Sequence, residues 1–256
     1  MVILDVGCGV ASFSGYLLNK NVITMSFAPK DEHEAHIQFA LEHGILATLS
    51  VITTKKFVFL DNAYDMIHCA RYMVHWHADG GKPLMDLNRI LRPGGYFIWF
   101  AMPVYKKDEG DQNVWKVRVN LTEVMCWKIM ARTYYKKDRV GLVIYQKSDS
   151  SSCYEKRKEN KPPMYDQKYR LNSSWYTPLD SCLLPPSLSD YEWPAPWPQR
   201  LNIKPLSLLL EADAEEIFNE DTRHLAALVS DVYLRGLAIN WSGVRNVIDM
   251  NAGYGG

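Results

Sequence analysis

The stretch Val2-Ile3-Leu4-Asp5-Val6-Gly7-Cys8-Gly9 decides the fold. Five residues, apolar except for Asp5, end in two glycines spaced by one residue. That is how a buried parallel strand runs into a tight turn before a helix. Ligands of open parallel sheets bind at the carboxyl ends of the strands, where glycines let the backbone come close. The dinucleotide fingerprint wants a third glycine or alanine after two spacers. Ser12 stands there, which argues against NAD. An acidic residue two positions before the first glycine suits a ligand with a cationic amino acid end better than a pyrophosphate.

Outward from this turn, strands and helices alternate. Ala11 to Leu18 has helical spacing and Asn21 to Phe27 reads as a second strand. Asp31 and Glu34 form a capping box for a helix striped by Ile37, Ala40 and Leu41 and ended by Gly44. Ile45 to Ile52 and Tyr64 to Ala70 read as strands three and four. Pro83 to Leu91 is a helix that Pro93-Gly94-Gly95 stops, and Tyr96 to Ala101 is an aromatic strand. Asp111 to Cys126 is helical. Lys128 to Thr133 and Val140 to Gln146 close the sheet as a pair, one of them antiparallel. This order predicts an α/β fold: a Rossmann-like sheet with helices on both faces over residues 1–147.

Composition changes after residue 147. Nine of the 13 prolines lie between Pro162 and Pro205, so residues 148–205 read as a Pro/Trp-rich linker wrapping over a folded domain. Helical periodicity returns from Ala214 to Leu234, with Leu225, Leu228, Val229 and Val232 on one face. Val244 to Met250 reads as another strand. Val247-Ile248-Asp249-Met250-Asn251-Ala252-Gly253 repeats Ile3 to Gly9 with Asn251 in place of Gly7. Residues 206–256 are therefore expected to be the incomplete start of a second copy.

With 29 basic and 29 acidic residues the chain has no net charge to draw it onto nucleic acid or an anionic membrane. No run of about 18 apolar residues is present. The five cysteines lack CxxC spacing, so no metal site is expected. The chain opens on its core strand, without a signal peptide, and an N-terminal part is expected to be missing.

Asp5-Gly7-Gly9, Asp61 to Asp65 and Leu91 to Gly95 together resemble class I methyltransferases. "VILDVGCGVASFSGYLL", "YDMIHCAR", "LNRILRPGGYFIW", "NSSWYTPLDSCL" and "VRNVIDMNAGYGG" are similar to a plant methyltransferase family that includes enzymes linked to pectin methyl-esterification. The resemblance covers essentially the whole chain. It implies S-adenosyl-L-methionine as cofactor and a homogalacturonan-like polysaccharide as acceptor. It also implies a Golgi luminal location behind a signal anchor that this chain lacks. The chain departs from the family pattern at Phe57 to Leu60, at Tyr72 and Met73, and at Tyr165.

The resulting expectations are specific. Cofactor contacts are assigned to Asp5, Gly7, Cys8, Gly9, Ser26, Asp31 and Cys69. Ser26 stands where related enzymes place an acid for the ribose hydroxyls, with Asp31 as the alternative. No catalytic base is assigned, because a galacturonate carboxylate is already ionised near neutral pH. His75 and His77 read as surface residues beside a packed Trp76, with acceptor orientation as the alternative. Arg92 reads as a solvated helix end, and Arg71 and Arg92 alternatively as anion partners. Cys8 and Cys69 read as buried thiols on core strands. Cys153 and Cys182 are a candidate disulfide, and Asn120, Asn172 and Asn240 open glycosylation sequons. The competing reading is a scaffold that binds cofactor without turnover.

Overall fold

The computed structural model describes residues 1–29, 35–70, 74–101, 104, 106, 108–137, 139–157, 159–164, 178–184, 204, 208, 212–244 and 247. The chain divides into two compact units, Met1–Pro194 and Ala195–Gly256.

The first unit is built on β1 (Val2–Val6), α1 (Ser12–Leu17), β2 (Ile23–Ala28), α2 (Ala35–Glu42), β3 (Ala47–Leu49), β4 (Tyr64–Ala70), α3 (Lys82–Ile90), β5 (Leu91–Ala101), α4 (Glu109–Val124), β6 (Trp127–Tyr135) and β7 (Val140–Lys147). These strands form one seven-stranded sheet in the order β3-β2-β1-β4-β5-β7-β6. β1 to β5 are mutually parallel, and β7 runs antiparallel to both neighbours. The expected closing pair with one reversed strand is present, and β7 inserts between β5 and β6.

Successive strand residues face opposite sides. Leu4, Val6, Phe27, Ile67, Cys69, Phe97, Trp99 and Tyr145 meet Leu84, Leu87 and Ile90 of α3 in the main core. Asp5, Ser26 and His68 face the other side, toward α1. Part of the Pro-rich segment joins the main core: Tyr154 and Leu183 are buried in it and Met164 packs against it.

Three expectations need correction. The expected helix is present and ends at Ile90, but Pro93-Gly94-Gly95 is not a break between it and the strand. β5 starts at Leu91, pairs with Tyr64, and resumes its register at Met66 with Tyr96. The intervening residues form a bulge, and a Cβ on Gly95 would sit 2.8 Å from the Arg92 carbonyl and 3.0 Å from that of Asp65. Arg92 is not a solvated helix end. It is buried and its guanidinium pairs with Asp65, whose other oxygen accepts from the Val2 amide at 2.6 Å. The disulfide joins Cys126 to Cys153, with Cα atoms 5.9 Å apart, and leaves Cys182 free. It ties the start of β6 to the helical turn α5 (Ser152–Glu155).

The amino ends of β4 and β5 are held by buried cations with full sets of partners. Arg89 donates through Nε to Asp86, through Nη1 to Asp61 and the Phe59 carbonyl, and through Nη2 to the Phe57 carbonyl. Lys147 donates to the carbonyls of Asn88 and Leu91, each at 2.7 Å. Asn88 lies in the last turn of α3, where helical carbonyls lack intrahelical partners, and Leu91 is the first residue of β5.

In the second unit α6 (Ala214–Ala227) continues as a π-helical segment, Leu228–Gly236. Leu208, Ala214 and Phe218 form a small cluster. No residue of Leu228–Gly236 is buried, so Leu228, Val229 and Val232 do not form the core stripe that their spacing suggests. In the expected strand Val244 to Met250, Val244 and Val247 are exposed and outside any strand; the rest lies outside the described residues.

Candidate cofactor site

The turn after β1 is the center of the candidate site. Gly7 and Cys8 both donate their amides to the Phe27 carbonyl of β2, which pins the turn to the sheet. Gly7, Gly9 and Ala11 take φ values of 69°, 54° and 56°. This alternation turns the chain from β1 into α1. Ala11 is fully buried in that conformation, which costs an L-residue about 1–2 kcal/mol. A Cβ built on Gly9 would meet nothing within 4 Å, so the chain leaves open space above the turn.

Asp5 ends up beside His68, its register partner on β4. His68 Nδ1–H donates to the Asp5 carboxylate at 2.9 Å, and the two side chains are nearly buried. Phe13 of α1 stacks on His68 with centroids 4.0 Å apart, and Phe100 meets it edge-on at 5.8 Å. The carboxylate is thus fixed at the carboxyl ends of the central strands, close to the glycine turn. The sequence reading missed His68, because only the strand order puts β4 next to β1.

The other expected residues divide. Cys8 sits in the turn rather than on a strand and is half-buried; burial, and then Asp5, push its thiol up to about 12. Ser26 is fully buried across from Asp5, and its hydroxyl donates to Ser14 of α1 at 2.7 Å. Cys69, next to His68, points to the opposite side of the sheet from Asp5; burial holds its thiol near 12 as well. Asp31 and Glu34, Arg71 to Met73, and Asn172 lie outside the described residues. Trp76 is fully buried, with His75 exposed and His77 half-buried on either side. Burial, followed by the charges of His75 and Arg118, lowers the His77 pKa.

The donors and the space fit S-adenosylmethionine. A buried carboxylate at the strand ends matches its ammonium group, and an open glycine turn lets the backbone approach. The one poor match is Ser26, whose hydroxyl is already engaged where a ribose would need an acceptor.

A seven-stranded sheet of this order, with β7 reversed and a glycine turn after β1, defines the class I methyltransferase fold. All residues, 1–256, match the model of a family described as "Putative S-adenosyl-L-methionine-dependent methyltransferase", and the chain belongs to that family. S-adenosyl-L-methionine is accordingly its cofactor. The chain is 61% identical over 257 residues to the Arabidopsis thaliana protein named "Probable methyltransferase PMT22", covering 100% of this chain and 42% of that protein. It is 47% identical over 264 residues to "Probable methyltransferase PMT25" of the same plant, covering 100% of this chain and 34% of the relative. It thus spans well under half the length of these relatives. Among solved structures, an S-adenosylmethionine-dependent methyltransferase from Aquifex aeolicus is 21% identical with a TM-score of 0.44, covering 57% of this chain and 81% of that one. The PH0226 protein from Pyrococcus horikoshii OT3 is 16% identical with a TM-score of 0.46, covering 57% and 82%.

Proposed function

We propose that this chain transfers a methyl group from S-adenosylmethionine to a carboxylate of a pectin-like cell-wall polysaccharide. The observation that carries the proposal is the open Gly7–Gly9 turn beside the buried Asp5–His68 pair at the strand ends, in a chain of this family. The bound cofactor supplies an electrophilic methyl group on a sulfonium. The protein's part is to bind and to orient. Asp5, held by His68, takes the ammonium end, and the turn from Gly7 to Gly9 lies along the cofactor backbone. A carboxylate acceptor is its own nucleophile and needs no proton removed. Arg118, His77 and Arg132 gather near the carboxyl ends of β4 and β5, which favours an anionic acceptor.

The buried, engaged Ser26 hydroxyl favours a second reading, a chain that holds cofactor weakly and does not turn over. Incubation with radiolabelled cofactor and de-esterified pectins separates the two. Label in pectin that is released by mild base, as an ester is, supports transfer. Cofactor binding with no label in any pectin supports the scaffold.

The same reading places the domain in the Golgi lumen. The Cys126–Cys153 disulfide suits an oxidising compartment, and Asn120 and Asn240 are exposed in their sequons. Among the described residues no helix is long and apolar enough to cross a membrane. Residues 1–147 are proposed as the cofactor-binding domain, 148–205 as its linker, and 206–256 as the start of a second half.

A further inference from the structure

The face of the sheet away from Asp5 contains a cluster that the cofactor site does not use. Arg118 of α4 is 1% exposed, and its guanidinium carbon lies 3.4 Å from the centroid of the Trp99 ring and 5.5 Å from that of Phe97. Among the described residues, its Nε and Nη2 have no partner in hydrogen-bond geometry, and neither do the indole N–H groups of Trp76 and Trp99 or the hydroxyl of Tyr145, which lies beside the guanidinium. The rings meet around Phe97: Trp76 edge-on at 6.0 Å and Tyr145 stacked at 6.3 Å.

The other buried cations of the core show what is unusual here. All three guanidinium nitrogens of Arg89 and the ammonium of Lys147 are supplied with acceptors. A buried charge without partners is strongly disfavoured. Arg118 departs from this rule on one edge. Nε and Nη2 are the two nitrogens whose N–H bonds point the same way, at the spacing of the two oxygens of a carboxylate.

The cluster also lies at the chemically relevant end of the sheet. Trp99 pairs with Cys69, and each stands one or two residues before its strand ends at Ala101 or Ala70. At about 3.3 Å per residue that is within roughly 7 Å of the strand ends. Trp76 comes from the segment that follows β4, and the neighbouring His77 lies close enough to feel the Arg118 charge.

We propose that the Nε–Nη2 edge of Arg118, with the indole N–H groups of Trp76 and Trp99 and the Tyr145 hydroxyl, binds a carboxylate of the acceptor. This rests on the methyltransferase reading above and adds a binding site to it. The carboxylate held here belongs to the acceptor rather than to the cofactor, whose amino acid end belongs with Asp5 on the other face. A uronate chain carries one carboxylate per residue, so one can be held at Arg118 while a neighbour is methylated. Entry requires the Trp76 or Tyr145 side chain to swing aside, because both are fully buried against Phe97, the ring over which the guanidinium also lies.

The test uses the whole chain, a galacturonic acid trimer, the same trimer fully methyl-esterified, and S-adenosylmethionine. Binding is followed by calorimetry and tryptophan fluorescence. The free trimer is expected to bind and to change the fluorescence, and the esterified trimer to bind at least tenfold more weakly. Arg118→Met and Arg118→Lys are each expected to weaken trimer binding at least tenfold and to leave cofactor affinity within twofold. Arg118→Met should melt no lower than wild type, since it removes a buried charge whose Nε–Nη2 edge is unpaired among the described residues. The lysine variant keeps stem and charge and serves if the methionine variant does not fold. Equal binding of the two trimers, no binding of the free trimer, or full trimer affinity in both variants overturns the proposal. A variant whose cofactor affinity falls with its trimer affinity assigns the edge to the cofactor and overturns it too. The methyltransferase reading fails separately, if wild type binds no S-adenosylmethionine.

Discussion

Replacing Gly9 with alanine separates folding from cofactor binding. Gly9 has φ 54°, and its added methyl would meet no atom of the chain within 4 Å. The cost to folding is therefore backbone strain alone, about 1–2 kcal/mol. For a unit of this size that lowers the melting temperature by a few degrees, at about 2–4 °C per kcal/mol. The methyl group does project into the space assigned to the cofactor. Losing one close backbone contact and overlapping the ligand is expected to weaken S-adenosylmethionine at least tenfold, about 1.4 kcal/mol or more. Scanning calorimetry gives the first quantity and titration calorimetry of the folded variant the second. An unchanged dissociation constant would mean that the cofactor does not lie over this turn. A melting temperature lower by 15 °C or more would mean that the space is not open, and would undo the geometric argument itself.

Two further outcomes follow from the packing. The Cys126–Cys153 disulfide closes a loop with a sequence separation of 27 residues, and loop entropy gives a stabilisation of about 3–4 kcal/mol as an upper figure. Cys126→Ser and Cys153→Ser should each lower unfolding free energy by a similar amount in urea titrations, while Cys182→Ser should not; a loss carried by Cys182 would assign the bond elsewhere. Lys147 is held down to about 7 by burial, against an unfolded value of 10.5. The unfolded chain binds more protons between those values, so stability should rise with pH from about 7 to 10. The carbonyls of Asn88 and Leu91 oppose part of the shift, and a gain of about 2–3 kcal/mol relative to Lys147→Met is expected. Parallel stability curves for the two proteins from pH 7 to 10 would refute it.

Much of the candidate site was legible from residues 2 to 9, because a strand that ends in spaced glycines has few structural uses and brings its own acidic residue. Local periodicity likewise placed α1, α3, α4 and the β6–β7 pair. It failed where partners come from far along the chain. Gly94 and Gly95 read as a stop because glycine usually ends an element, whereas here Gly95 sits in a bulge against the backbone of Asp65. Arg92 read as solvated because nothing local announces Asp65, 27 residues away. The sequence by itself determined the alternation of strands and helices, the glycine turn and the family. The tertiary structure decided which side chains meet: that His68 holds Asp5, that Ser26 spends its hydroxyl on Ser14, that Cys126 rather than Cys182 bonds Cys153, and that Arg118 is buried with one edge unpaired among the described residues. The physical reason is that a strand's residue pattern fixes which side chains share a face, while strand order and crossovers fix what that face meets.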